Sequence, residues 1–241
     1  MRRGLVALLA LGFCGRAAPG QTAPGLPGRY TASWWDVGWV AGGGALYLAP
    51  VALSLPSGGP SCAPCDPATL PGIDRWVVRP VANGADVASY VVLAGVAGWT
   101  AWVGLRGLPA DEWRGNFATF AEAASWTAAS SEWLKVLVRR KRPVLYTSGA
   151  VAAAGSVENQ ESFPSMHTSL AFAAATSYFV VSRRQGLPHR ARNTLMLYAA
   201  ALAVGALRVA SAQHFPTDVL AGAALGSGVG WLVPTIHPTT H

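Results

Sequence analysis

Charge is scarce in this chain. Asp, Glu, Lys and Arg make up 12% of its 241 residues, about half of the roughly 25% that a soluble domain carries. Acid is the scarcer sign, with 11 Asp and Glu against 18 Lys and Arg, and only two of those 18, Lys135 and Lys141, are lysine. So little charge, with 51% hydrophobic residues and a mean hydropathy of +0.32, excludes a disordered tail and fits a soluble globule poorly. Three Cys are too few for a disulfide framework. Cys62 and Cys65 form a CxxC in a Pro/Gly-rich stretch without the βαβ surroundings of a redox domain, so a local disulfide or a pair of packed thiols is expected. They lack the further ligands of a metal site. No repeat or heptad organises the 27 Gly and 17 Pro, and a collagen-like rod is excluded.

What is present is a series of apolar segments. Met1 to Cys14 has a basic start, Arg2 and Arg3, and a short apolar run from Gly4 to Phe13, which resembles a signal peptide and is too short to span a bilayer. A Pro/Gly-rich linker follows. Six segments near the length of about 20 residues that a membrane helix needs come next. They are Val37 to Leu55, Asp86 to Leu105, Phe117 to Val138, Ser165 to Val181, Thr194 to Ala210 and Thr217 to Ile236. Their Gly, Ala and Ser content suits close helix packing within a membrane. The expected fold is all-α, a six-helix bundle with five to six transmembrane helices. The expected organisation is a signal-like segment at 1–20, a linker at 21–36, a helical membrane domain at 37–236 and a tail at 237–241. Asp86, Glu122 and Glu132 must then face the bundle interior or an interface.

The net charge of +7 would suit a nucleic-acid surface in general terms, yet the Arg residues sit in connections, and no nucleic-acid partner is expected. Arg183 to Arg192 holds four Arg and no acid, and Arg106 to Arg114 is short and mixed, so both connections read as cytoplasmic. The CxxC loop from Pro56 to Gly84, the stretch from Arg139 to Phe163 and the turn from Ser211 to Pro216 then share the opposite face.

Helices alternating in direction bring four ends together on that face. Lys135 and Arg142-Pro143 follow the third segment, Ser165 and His167 open the fourth, Arg208 closes the fifth, and His214 and Asp218 open the sixth. Lys135, Arg142 and Arg208 supply three cations, and Ser165 with the amides of Met166 and His167 forms a helix N-terminus that favours an anion. A phosphate is the natural guest. His214 and Asp218 are four apart, so the carboxylate can hold one imidazole nitrogen while the other attacks. His167 remains to protonate a leaving oxygen and then activate water. Singly, a His and Asp at helical spacing usually make a structural hydrogen bond, and the run Arg139 to Arg142 reads as a solvated or headgroup-facing patch.

Jointly, these residues resemble the type 2 phosphatidic acid phosphatase (PAP2) superfamily, which includes soluble acid phosphatases and vanadium haloperoxidases. Lys, six residues, Arg-Pro is matched by Lys135 and Arg142-Pro143. Pro-Ser-Gly-His appears as Pro164-Ser165-Met166-His167, and Ser-Arg, five residues, His, three residues, Asp appears as Leu207-Arg208, His214 and Asp218. Met166 stands where the motif has Gly, keeping the backbone N–H but adding bulk, and Leu207 replaces a Ser.

The resemblance implies a metal-independent phosphatase with a PAP2-like core and no cofactor. His214 would form a phosphohistidine, Asp218 would orient it, and His167 would act as acid and then base. Lys135, Arg142, Ser165, Met166 and Arg208 would bind the phosphoryl group. It also implies a lipid phosphate substrate, a place in the inner membrane and a site on the extracytoplasmic side. A cleaved start followed by six spans would invert the site, so either the start is retained or Val37 to Leu55 is a partial span. A soluble-type exported acid phosphatase, a vanadate-dependent haloperoxidase and a vestigial membrane scaffold are the competing readings. The stretch from Val144 to Phe163, with Glu158 and Glu161, is a candidate lid.

Overall fold

The computed structural model describes residues 28–240; the signal-like segment at 1–20 lies outside them. Its long helices coincide with the six apolar segments. In chain order the elements are strand β1 (Arg29–Tyr30), α1 (Trp34–Ala52), the single turn α2 (Gly72–Arg75), α3 (Asn83–Leu105) and α4 (Ala110–Val138). A short α5 (Ala150–Ala153) precedes α6 (Met166–Gln185), α7 (Arg190–Ala210), α8 (Pro216–Ile236) and strand β2 (Thr239–Thr240). β1 and β2 pair antiparallel, Arg29 opposite Thr240 and Tyr30 opposite Thr239, closing the described chain on itself.

Local chemistry sets the helix ends. Asp36 accepts from the Ser33 amide at 2.5 Å and starts α1, and Asp218 does the same for the Phe215 amide at 2.8 Å in front of α8. α4 starts earlier than its apolar run, because Glu112 is buried in an ion pair with Arg29 at 2.9 Å. Gly186, at φ 64°, ends α6 in the left-handed conformation that suits glycine.

Small residues allow the central helices to touch. Gly222, Gly226 and Gly230 form an i, i+4 stripe on α8 that lies on α6. A methyl group on Gly226 would sit 2.0 Å from the Ser169 carbonyl oxygen, and one on Gly222 would sit 2.6 Å from that of Ser165. The backbones themselves are in contact there. The interior is correspondingly polar. Asn116 on α4 and Gln185 on α6 exchange two hydrogen bonds of 2.8 Å, and Asn116 also donates to the Gly104 carbonyl of α3. Each such group would cost about 1–3 kcal/mol if left unpaired.

Outside, the polarity is reversed. Trp34, Trp35, Val91, Trp102, Leu202 and Trp231 are all exposed, a surface that hydrocarbon accommodates better than water. α3, α7 and α8 are long and apolar enough to cross a membrane. Asp86, Glu122 and Glu132 are placed as their helices require: Glu122 and Glu132 are buried, and Asp86 is paired with Arg208.

Candidate active site

Four helix ends meet where the alternating topology places them. The end of α4, the start of α6, the end of α7 and the start of α8 carry Lys135, Ser165 and His167, Arg208, and Asp218 respectively, with His214 in the turn before α8. The start of α3 joins them: Asp86 is ion-paired to Arg208, Ser89 Oγ accepts from Arg208 Nη1 at 3.0 Å, and the Tyr90 ring packs edge-on against His167 at 4.3 Å.

His214 is 2% exposed. Its Nδ1 lies 2.6 Å from the Ser162 carbonyl oxygen. A carbonyl only accepts, so Nδ1 carries the ring proton and Nε2 keeps a free lone pair. Burial, and then the positive field of Arg208 and Arg142, holds the His214 pKa well below the ordinary histidine range. The imidazole is therefore neutral and nucleophilic at physiological pH.

The sequence reading expected the Asp218 carboxylate to hold that imidazole. It does not do so directly, because Asp218 Oδ2 is 3.9 Å from His214 Nδ1. The carboxylate is taken by stronger local partners: the Phe215 amide at 2.8 Å, Ser162 Oγ at 2.6 Å and Arg140 Nη1 at 2.5 Å. Ser162 thus links the two residues, donating to Asp218 through its hydroxyl and receiving His214 on its carbonyl. Asp218 is a positioning residue in this geometry.

By sequence Arg140 belongs to a solvated or headgroup-facing patch. Instead Nη2 binds Asp74 at 2.7 Å, Nη1 binds Asp218 and Thr217 Oγ1, and the guanidinium lies 4.6 Å from the Phe215 ring centroid. Asp74 is fully buried and also accepts from the Thr217 hydroxyl at 2.8 Å. It is delivered by the loop that contains the Cys62–Cys65 disulfide, whose Cys65 amide donates to the Leu145 carbonyl at 2.8 Å. Arg140 and Asp74 carried no sequence signal, since nothing in Arg139-Arg140-Lys141-Arg142 marks one cation as buried.

The three expected cations are present and differently held. Lys135 Nζ is paired with Glu132 at 3.0 Å. Arg142 donates through Nη1 to Gln213, and Arg208 through Nη1 to Asp86 and Ser89. The Nε–H groups of Arg142 and Arg208 are both buried and have no acceptor among the described residues. Both arginines and Lys135 lie close enough to act electrostatically on His167 and His214. Two buried, unfilled guanidinium donors beside two imidazoles are what an incoming oxyanion would satisfy.

Ser165 is fully buried at the N-terminus of α6, where its Oγ accepts from Thr168 at 3.0 Å and its amide donates to the Asp218 carbonyl at 3.1 Å. Met166 is the first residue of α6 and only partly buried. Its amide, with that of His167, belongs to the first turn, which has no intrahelical acceptor. In the candidate lid, Glu161 is buried beside Lys135, Glu132 and Arg142, and burial raises its pKa. Glu158 is exposed.

The PAP2 superfamily model matches residues 117–241, and the chain belongs to that superfamily. More particularly, it is 35% identical over 103 residues to the decaprenylphosphoryl-5-phosphoribose phosphatases of two Mycobacterium tuberculosis strains. That match takes in 43% of this chain and 51% of each relative, so the chain spans about half the length of the curated relatives it matches. Among solved structures it is similar to a transmembrane PAP2-type phosphatidylglycerolphosphate phosphatase from Bacillus subtilis. The TM-score is 0.43 at 17% identity, covering 84% of this chain and 96% of that one.

Proposed function

We propose that the protein is a phosphatase acting on the phosphate monoester or pyrophosphate of a membrane lipid through a phosphohistidine. The observation that carries this is the pair of buried Nε–H donors on Arg142 and Arg208, without acceptors among the described residues, on the two arginines whose positive field helps keep His214 neutral. His214 Nε2 attacks phosphorus while the bond to the leaving oxygen breaks, and His167, which takes up a proton once the bound phosphate offsets the neighbouring cations, gives that oxygen its proton. His167, now neutral, takes a proton from water, whose oxygen displaces His214 and releases phosphate. Lys135, Arg142, Arg208, the Ser165 hydroxyl and the Met166 amide offset the charge on the equatorial oxygens. Asp218, acting through Ser162, keeps the proton on Nδ1 and Nε2 aimed outward. No metal enters the reaction, and the acid groups at the site are engaged by cations or amides instead of forming a two-metal cluster.

The lipid character of the substrate follows from the position of the cradle at the ends of helices α7 and α8, which are membrane-length. A tail can remain in hydrocarbon while its phosphate reaches the cradle. The four-Arg connection at the other end of the bundle supports an extracytoplasmic site in the inner membrane. Decaprenylphosphoryl-5-phosphoribose, named in the mycobacterial relatives, joins undecaprenyl pyrophosphate, phosphatidate, phosphatidylglycerol phosphate and lipid A phosphate as a substrate to test.

The test is phosphate release by detergent-purified protein, in EDTA, from these lipids side by side, with His214→Ala as control. Release abolished in His214→Ala while the protein stays folded is expected. Activity retained by that variant removes His214 as nucleophile, and a strict need for added divalent metal in protein that stays folded in EDTA removes the mechanism. In spheroplasts, hydrolysis of an added impermeant short-chain substrate places the site outside. Hydrolysis only after permeabilisation reverses the orientation.

A further inference from the structure

At the other end of the bundle three side chains from distant parts of the sequence meet. Asp36 lies in the first turn of α1, Glu122 in the middle of α4 and His237 just after α8; all are buried, with ligand atoms within 4.8 Å of one another. His237 Nε2 lies 3.0 Å from the Thr31 carbonyl oxygen, which can only accept, so Nε2 bears a proton and Nδ1 faces the carboxylates. Nδ1 is 3.0 Å from Glu122 Oε2. The other carboxylate oxygen, Glu122 Oε1, is buried and has no partner among the described residues. Asp36 gives Oδ2 to the Ser33 amide. Among the described residues no Lys or Arg is ion-paired with Asp36 or Glu122. Two carboxylates thus lie within 4.8 Å of one imidazole that bonds only Glu122 of the two, and a carboxylate oxygen is left bare, in an environment where each such deficit is costly.

We propose that Asp36, Glu122 and His237 bind one divalent transition-metal ion of the zinc type. One imidazole nitrogen and two carboxylate oxygens form a donor set that suits zinc. The Nε2–H bond to the Thr31 carbonyl is the outer contact that fixes the orientation of a ligating histidine. Two carboxylates and a neutral imidazole sum to a charge of −2, which the cation balances. Binding displaces the proton otherwise held between His237 Nδ1 and Glu122 Oε2, so one proton leaves per ion bound. The ion ties the start of α1 to α4 and to the end of α8, beside the β1–β2 pairing that joins the two ends of the described chain. α8 has 21 residues, so Asp218 and the phosphate cradle lie about 30 Å away. The ion is structural and takes no part in turnover.

The test uses untagged full-length protein in detergent, stripped with EDTA and given zinc alone. About one equivalent retained after desalting is expected, with Tm raised by about 5 °C or more at a hundredfold excess over Kd. Glu122→Gln and His237→Asn each lose that equivalent, whereas His189→Asn, in the connection before α7, keeps it. X-ray absorption of the zinc-loaded wild type should show a single imidazole among oxygen ligands, a readout independent of whether the variants fold. A wild type that retains no zinc and shows no shift in Tm overturns the proposal. So does an equivalent retained by both variants, or a spectrum with two or more imidazoles.

Discussion

Arg140 draws separate stretches of chain onto one guanidinium: Asp74 from α2, Thr217 and Asp218 from the first turn of α8, and the Phe215 ring. Both Nη atoms are engaged inside the protein, so its effect on chemistry passes through Asp218 and Ser162. Arg140→Gln leaves two fully buried carboxylates without their cation, a defect of about 3–5 kcal/mol. We expect kcat to fall about tenfold or more with KM nearly unchanged, and Arg140→Lys to recover part of the loss. A raised KM with kcat preserved would make Arg140 a direct phosphate ligand. His214 provides a pH test. Its folded-state pKa lies below that of the unfolded chain, about 6.5, so below that pH the unfolded state binds a proton that the native state refuses. Native stability is therefore full above about pH 6.5 and declines as pH falls through it. His237 has the opposite sign: burial opposes its charge, but hydrogen bonds to Glu122 and Thr31 prevail and raise its pKa. The comparison must isolate His214, and Tm measured from pH 7.5 to 5.5 should fall less steeply in His214→Ala than in the wild type. Equal slopes would mean that His214 titrates normally. At this scale the sequence singled out Lys135, Arg142, Ser165, His167, Arg208, His214 and Asp218 as candidates, because residue type and spacing are one-dimensional properties. It could not reveal that the His214 ring proton goes to the Ser162 carbonyl, since a backbone acceptor leaves no mark on composition.

The six long helices were legible from apolar runs, and their ends less so. α4 begins at Ala110 instead of Phe117 because Asp111, Glu112 and Arg114 depress the hydropathy of a turn that is helical and anchored through Glu112 to Arg29. α1 begins at Trp34, where the Ser33–Asp36 contact supplies the start. What fixes the site is the contact between α6 and α8. Ser165 and Ser169 on α6 lie under Gly222 and Gly226 on α8, so the first turn of α6 and the helix carrying Asp218 are set by a backbone-to-backbone approach. Gly226→Ala would place a methyl group 2.0 Å from the Ser169 carbonyl oxygen, and the helices must separate. We expect a loss of about 1–3 kcal/mol of stability together with a clear fall in kcat, measured by thermal unfolding and turnover. The same change at Gly228, where a methyl group meets nothing within 4 Å, should leave both intact. Normal stability and turnover in Gly226→Ala would show that the helix contact does not position the site.

Across the whole molecule, Ser, Thr, Asn, Gln and paired ions share the interior with an apolar core of mainly Ala, Val, Leu and Tyr, and Trp, Leu and Val cover much of the outside. The candidate active site and the Asp36–Glu122–His237 cluster lie at opposite ends of this bundle, connected by α8. The long apolar helices and the choice of candidate phosphate-binding residues were determined by the sequence by itself, because hydropathy is set by local composition and the motif spacings are preserved along the chain. Only the tertiary structure decided that Asp74 and Arg140 brace Asp218, that Ser162 stands between Asp218 and His214, and that His237 closes on Glu122. Those contacts join residues as far as 143 positions apart, as in Thr217 to Asp74. They depend on which helix faces meet and how closely, and small side chains at Gly222, Gly226 and Gly230 settle that in three dimensions.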